Sequence, residues 1–257
     1  MKSKTILISI VTPSFNQAKY INQTLESVGF SRVGVEHIII DGGSKDQTVP
    51  ILKRCKYKIY WISERDRGQS DALNKGLKMT RGQIVTYLNS DDYYLPGALS
   101  LVADIFAKNP EVMWVVGDAL IVDEKGKQIQ KFIRLYKKMW RILYFPNLLF
   151  VINPFPQPAV FFRKEVFNRI GPFSESLIYA MDYEYWLRIQ RSFGRPMFVD
   201  KPLAAFRIHS QSKGTTAYRK QFYEGFSVSV AQGAGWLAVL LHRLHNQLIF
   251  LFYAVLK

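Results

Sequence analysis

The chain has 257 residues, 48% of them hydrophobic, enough to bury a full core in one α/β domain or two packed lobes, which excludes disorder. A formal charge of +15 draws it toward nucleic acid, an anionic membrane or a phosphorylated substrate without choosing among them. Cys55 is the only cysteine, which excludes an internal disulfide and a paired-cysteine zinc site and points to a reducing, cytoplasmic setting.

The N-terminus reaches an apolar strand by Ile6 with no signal-peptide core, so export is not expected. That strand runs from Ile6 to Val11 and stops at Thr12-Pro13, and Asn16 is placed to cap a helix burying Ile21, Leu25 and Val28. A second strand, Val35 to Ile40, ends in Asp41-Gly42-Gly43, where Ser44 to Gln47 has capping-box spacing. The third, Tyr57 to Ile62, leads into Glu64 to Asp71 and a helix with Leu73, Gly76 and Leu77. The fourth, Gln83 to Leu88, stops at Asn89-Ser90-Asp91-Asp92. Strand and helix in alternation predict a mostly parallel sheet flanked by helices, an α/β fold.

In an open parallel sheet, ligands sit beyond the carboxyl ends of the strands. Thr12, Asp41, Asp66 and the Asp91-Asp92 pair are therefore expected at one site. Single acids after strands also serve as helix caps and turn formers. Two adjacent carboxylates repel, however, and need a cation or basic partner when confined, a demand that a hard divalent ion bridging to phosphate would meet.

These residues resemble glycosyltransferase family 2, the inverting enzymes of the GT-A fold, from about Ile8 to Ser212. The likeness is carried by the segments 12–17, 40–48, 68–76, 88–92, 157–163, 181–188 and 207–212. It implies that Thr12, Pro13 and Phe15 line a nucleotide pocket and that Asp41 hydrogen-bonds the base, usually uracil. It also implies that Asp66, Arg67 and Gln69 lie along the donor, with Arg67 available to a phosphate or left as a surface arginine. Asp91 and Asp92 match the family's D-x-D-type element, with Asp92 on Mn²⁺ or Mg²⁺ and Asp91 near ribose and metal. Asn89 stands where many relatives have an acid. His209 resembles a late histidine that reaches the diphosphate or metal, the alternative being a structural role.

Inverting transfer needs a base for the acceptor proton, and Asp182 is the candidate, matching the family's acceptor-side acidic motif with Met181 where many relatives read Glu. Asp182 is also placed to cap the helix from Tyr183, while Glu184 is expected to point elsewhere. The expected activity is metal-assisted transfer of a sugar from a UDP-type nucleotide sugar to a glycan or polyprenyl-linked hydroxyl. Residues 1–215 would form the catalytic domain, with 1–95 binding the donor and 96–215 the acceptor, and 216–257 a helical tail. Other readings are a nucleotidyltransferase or a degenerate nucleotide-binding protein. The missing G-x-G-x-x-G disfavours a nicotinamide enzyme, and clustered acids disfavour a nucleic-acid partner.

Two segments suggest surfaces. Lys131 to Phe145 carries Lys131, Arg134, Lys137, Lys138 and Arg141 on one third of a helix and apolar residues on the rest. It suits an anionic membrane at the cytoplasmic face, or a core-packed helix with a solvated basic face. Trp236 to Leu256 has two apolar blocks around a polar centre at His242 to Gln247, too polar to span comfortably, which predicts an in-plane membrane helix or a homo-oligomer contact.

Overall fold

The computed structural model describes residues 7–212 and 217–255, with side chains of the last helix through Leu251. Eight strands are present: β1 (Ile8–Ser14), β2 (Val35–Asp41), β3 (Tyr60–Ser63), β4 (Ile84–Tyr87), β5 (Tyr93–Tyr94), β6 (Trp114–Val122), β7 (Val160–Arg163) and β8 (Met197–Arg207). They form one sheet in the order β3-β2-β1-β4-β7-β6-β8-β5. β1, β2, β3 and β4 pair in parallel, as do β6 and β8, while β7 and β5 pair antiparallel with their neighbours. The α/β expectation is met, the antiparallel pairs being β4 with β7, β6 with β7 and β5 with β8.

Among the described residues there are nine α-helices, the last two after the final strand: α1 (Ile21–Gly29), α2 (Thr48–Lys53), α3 (Gln69–Met79), α4 (Ala98–Lys108), α5 (Lys131–Ile142), α6 (Lys164–Ile170), α7 (Met181–Phe193), α8 (Tyr218–Ala231) and α9 (Trp236–Val255). Side chains alternate across the sheet with period two. Val11, Trp114, Val116 and Phe162 join Leu73, Trp186 and Leu187 on one face. Ile10, Val115 and Phe161 join Leu99, Val102 and Phe106 on the other. Gly76 lets α3 lie against β1, since a Cβ there would come within 2.4 Å of Val11 Cγ1.

Two expected caps do not form. Asn16 has φ 53°, the left-handed region, which an N-cap does not adopt, and α1 begins only at Ile21. Its Oδ1 instead accepts the Lys45 N–H, and its own N–H donates to Ser44 Oγ, tying the loops after β1 and β2 together. The Ser44 hydroxyl is thereby used, and with no side-chain cap on α2 the capping box is absent. The boundary expected at residue 215 lies outside the described residues.

Helices α5 and α9 leave their apolar stripes exposed. The core-packed reading of the 131–145 segment, with a solvated basic face, does not hold, because two of its five cations turn inward to one acid. Asp118, buried on β6, accepts from Arg134 Nε at 2.7 Å and from Arg141 Nη2 at 2.6 Å. Lys138 pairs with Asp200. The apolar stripe of Leu135, Met139 and Ile142 faces outward. On α9, the polar centre is likewise the inner face, where His242 Nδ1 lies 2.8 Å from the Phe150 carbonyl and His245 Nε2 2.7 Å from the Tyr136 hydroxyl of α5. Asp118 is buried, and a carboxylate left alone there would cost several kcal/mol, so it draws the two arginines inward against the hydrophobic pattern. No described helix is long and apolar enough to cross a membrane.

Candidate functional site

The register stacks the strand ends. Ser14 lies opposite Asp41, Asp41 opposite Ser63, and Val11 opposite Tyr87, so the loops after β1, β2, β3 and β4 open along one edge. Asp41 is fully buried, and its carboxylate accepts four donors: the Ser44 and Ser63 hydroxyls and the Gly43 and Ser44 amides. Those bonds occupy about all the lone-pair directions a carboxylate has. Asp66 accepts the Gly68 N–H and lies against Gly42, where a Cβ would come within 2.6 Å of its Oδ2.

The expected residues of the first two loops are not all turned to the cleft. Phe15 is exposed, but Pro13 is buried and Thr12 is fully buried. The Thr12 hydroxyl lies 2.9 Å from His37 Nε2, beneath the loop. Arg67 Nη2 pairs with Asp71 at 3.0 Å and Glu175 at 2.9 Å, so it does not stand ready for a phosphate.

His37 has a measurable signature. Burial pushes its imidazole down to about 3 from 6.5, and Nδ1 has no hydrogen-bond partner. Between those values the unfolded chain holds a proton that the folded one does not, so stability is complete above pH ~6.5 and falls as the pH drops. The expected slope from His37 is about 1.4 kcal/mol per pH unit. His245, pushed down by burial to about 4, adds to it in the same window. Thermal melts from pH 7 to pH 5 should show the loss, and His37→Gln should reduce the slope by about half; an unchanged slope refutes the assignment.

After β4 the acids separate. Asp92 is buried, accepting the Arg207 amide at 2.8 Å and the Asn89 side chain at 3.3 Å. Asp91 keeps a partly exposed carboxylate whose Oδ2 is 2.9 Å from His209 Nε2. Burial first, then the Asp91 charge, raises Asp92 well above the usual carboxylate range. Negative charge here is thus incompletely balanced by the protein. A cavity of about 120 Å³ is lined by residues that include Asn16, Lys19, Tyr20 and His209, the histidine that meets Asp91.

Asp182 comes from α7, which begins beside α3. Ser70, in the first turn of α3, donates to the Met181 sulfur at 2.9 Å and joins the N-termini of α3 and α7. Asp182 is the second residue of α7; its Oδ1 accepts the next amide, without capping the helix. Burial, then the charges of Asp182 and Asp92 in that order, raises the Tyr87 phenol, so both carboxylates act on one buried ring. Glu184 points away, to Arg188 and Gln232.

Three positions that sequence reasoning left without a role join these parts. Asn89 accepts from Gln69 Nε2 at 2.7 Å and donates to Gln157, which in turn donates to the Tyr87 carbonyl. Arg207 donates to the carbonyls of Asp91, Asp123 and Glu124 and to Gln23, with its guanidinium over the Tyr20 and Tyr93 rings. All three stand inside segments that carried the family likeness, which was the available signal.

The parallel strands of this mixed sheet gather loops, acids and a histidine at their carboxyl edge, where an α/β fold holds its ligand. Residues 9–171 match the model of Glycosyl transferase family 2. An uncharacterised glycosyltransferase of Rickettsia typhi is 30% identical over 236 residues, 87% of this chain and 72% of its own. The chain therefore belongs to glycosyltransferase family 2. Among solved structures it is similar to S. aureus TarS 1-349 in complex with UDP-GlcNAc, with TM-score 0.69 and 20% identity over 88% of this chain and 66% of that one. It is also similar to the mannosyltransferase PcManGT of Pyrobaculum calidifontis in complex with GDP-Man and Mn²⁺, with TM-score 0.70 and 17% identity over 92% and 68%. At these identities the likeness establishes the fold, and the chain spans about two thirds of each of those structures.

Proposed function

We propose that the protein transfers a sugar, with inversion, from a nucleoside-diphosphate sugar to a hydroxyl of a glycan or lipid-linked glycan, with Asp182 as base. The observation that supports this reading is the gathering of acids at the strand ends: Asp91 lies 2.9 Å from His209, and Asp92 and Asp182 both act on the buried Tyr87 ring. Residues 1–95 would bind the donor and 96–215 the acceptor. UDP is the favoured nucleotide, since the structurally similar TarS is described with UDP-GlcNAc, and GDP is the competitor raised by PcManGT. The single cysteine suits a cytoplasmic setting.

The residues present fit a divalent metal. A partly exposed carboxylate beside an imidazole nitrogen offers mixed O and N donors suited to Mn²⁺. No group of three such ligands stands together among the described residues, so donor phosphates and water would complete the shell. We assign Asp91 and His209 as ligands, while Asp92, the ligand expected from sequence, holds the loop through Arg207 and Asn89. When bound, such an ion would offset charge that grows on the leaving diphosphate.

The protein's own residues do the rest. Phe15 offers an exposed ring at the pocket mouth, and Asp41 and Asp66 hold the loops that wall it. Gln69 and Asn89 hold each other at the same edge. Arg67 would leave Asp71 and Glu175 to meet a phosphate. The acceptor oxygen attacks the anomeric carbon as its proton passes to Asp182, and the bond from that carbon to the diphosphate oxygen breaks with its electron pair.

A screen of UDP-, GDP- and dTDP-sugars with Mn²⁺, read as free nucleoside diphosphate, tests the reading. One donor should release its diphosphate, chelation should stop release, and Asp91→Asn or His209→Ala should raise the Mn²⁺ requirement about tenfold or more. Pyrophosphate released from a nucleoside triphosphate and a sugar phosphate would favour the nucleotidyltransferase reading. Binding without turnover would mark a degenerate protein.

A further inference from the structure

We propose that the joined outer faces of α5 and α9 are a bilayer-docking surface that lies in the plane of an anionic membrane with its apolar side chains among the lipids. This rests on the transferase reading only in placing the acceptor; the docking stands on its own observations.

Most of the exposed large apolar side chains among the described residues lie on these two helices and the turn after α5. Leu135 is 62% exposed and Ile142 72%, while on α9 Trp236 is 80% and Leu248 66% exposed. A soluble surface of that character, running along a helix of ~30 Å and a shorter neighbour, is unstable in water unless something covers it. The two helices act as one face because Tyr136 of α5 and His245 of α9 stack at 6.2 Å and share a hydrogen bond. Arg134 and Arg141 of α5 and His242 and Asn246 of α9 are turned to the protein, the reverse of a helix that packs its apolar side on its own core.

Charge selects the occupant. No Asp or Glu occurs in residues 125–164 or in 225–257, and Lys131 of α5 and Arg243 of α9 are exposed beside the apolar side chains of their helices. A second copy on a two-fold axis would set this acid-free surface against itself, cation facing cation. An anionic lipid surface meets both requirements, taking the apolar stripe into its acyl boundary and the exposed cations at its headgroups, with Trp236 at interfacial depth. The arrangement also has a consequence for the reaction. The inner face of α5 carries Lys137, whose ammonium is lowered by burial and raised in opposition by Asp182. One helix therefore faces lipid outward and the proposed base inward, which puts the acceptor side of the cleft next to the membrane.

The test is flotation of the full chain with vesicles of phosphatidylcholine, with and without phosphatidylglycerol. The protein should float with the mixed vesicles, and less with phosphatidylcholine alone. Leu135→Asp with Ile142→Asp, and separately Leu244→Asp with Leu248→Asp, should each lower partitioning ~10-fold or more. Lys131→Gln should lower it about fivefold, on anionic vesicles only. Unchanged melting temperature and nucleotide binding in the variants would show that folding and donor site are intact. The proposal is overturned if the protein stays in the soluble fraction, if the double variants float as well as the parent, or if they only split a dimer seen by light scattering. Flotation without nucleotide release from any donor would count against the transferase reading and still support docking.

Discussion

Asp182→Asn is expected to lower kcat for sugar transfer by ~10²–10⁴-fold, the range that a positioned general base contributes. Asparagine keeps the size and the bond to the Tyr183 amide but cannot take a proton at neutral pH. Donor binding, measured by titration of the nucleoside diphosphate with Mn²⁺, should stay within about twofold, because in the proposed reading Asp182 serves the acceptor while Asp91 and His209 serve the donor. Loss of donor affinity in parallel with kcat would place Asp182 in the donor pocket instead. Slow donor hydrolysis by water should fall too, since the same proton must leave. Glu184→Gln is the contrast: it breaks a pair with Arg188 on the far side of α7 and should change stability more than chemistry.

Arg207→Ala is expected to cost about 3–5 kcal/mol of stability and nearly all activity. Its guanidinium bonds three carbonyls and the Gln23 side chain in a buried position between two aromatic rings. Deletion leaves those acceptors without donors and loosens β8, whose amide at this residue holds Asp92. The melting temperature should fall on the order of 10 °C, given ~2–4 °C per kcal/mol at this chain length. Arg207→Lys should recover little, because one ammonium cannot span acceptors placed around a planar fork. A melting temperature within about 2 °C of the parent would show that water replaces the guanidinium.

Strand-end acids were legible in the chain because a parallel sheet delivers every βα loop to the same edge, so local patterning was enough to assemble Asp41, Asp66, Asp91 and Asp92. How those acids divide the work was not legible. Asp91 and Asp92 are adjacent and chemically identical, and only the arrival of β8, some 115 residues later, buries one on the Arg207 amide and leaves the other to His209. The same holds for Thr12, which the sequence marks as a strand end but His37 turns inward.

The amphipathic segments make the sharper contrast. Their helical periods were readable from the sequence, since periodicity is a local property set by 3.6 residues per turn. Which face points inward is a property of what lies underneath. Asp118, one carboxylate on β6, draws Arg134 and Arg141 into the protein, and the Phe150 carbonyl with Tyr136 does the same for His242 and His245. The sequence by itself determined the α/β alternation, the family and the acids at the sheet edge, all written in neighbouring residues. The tertiary structure alone decided which acid faces the cleft and which helix faces stay exposed, because a buried charge settles its orientation by partners that are distant in the chain.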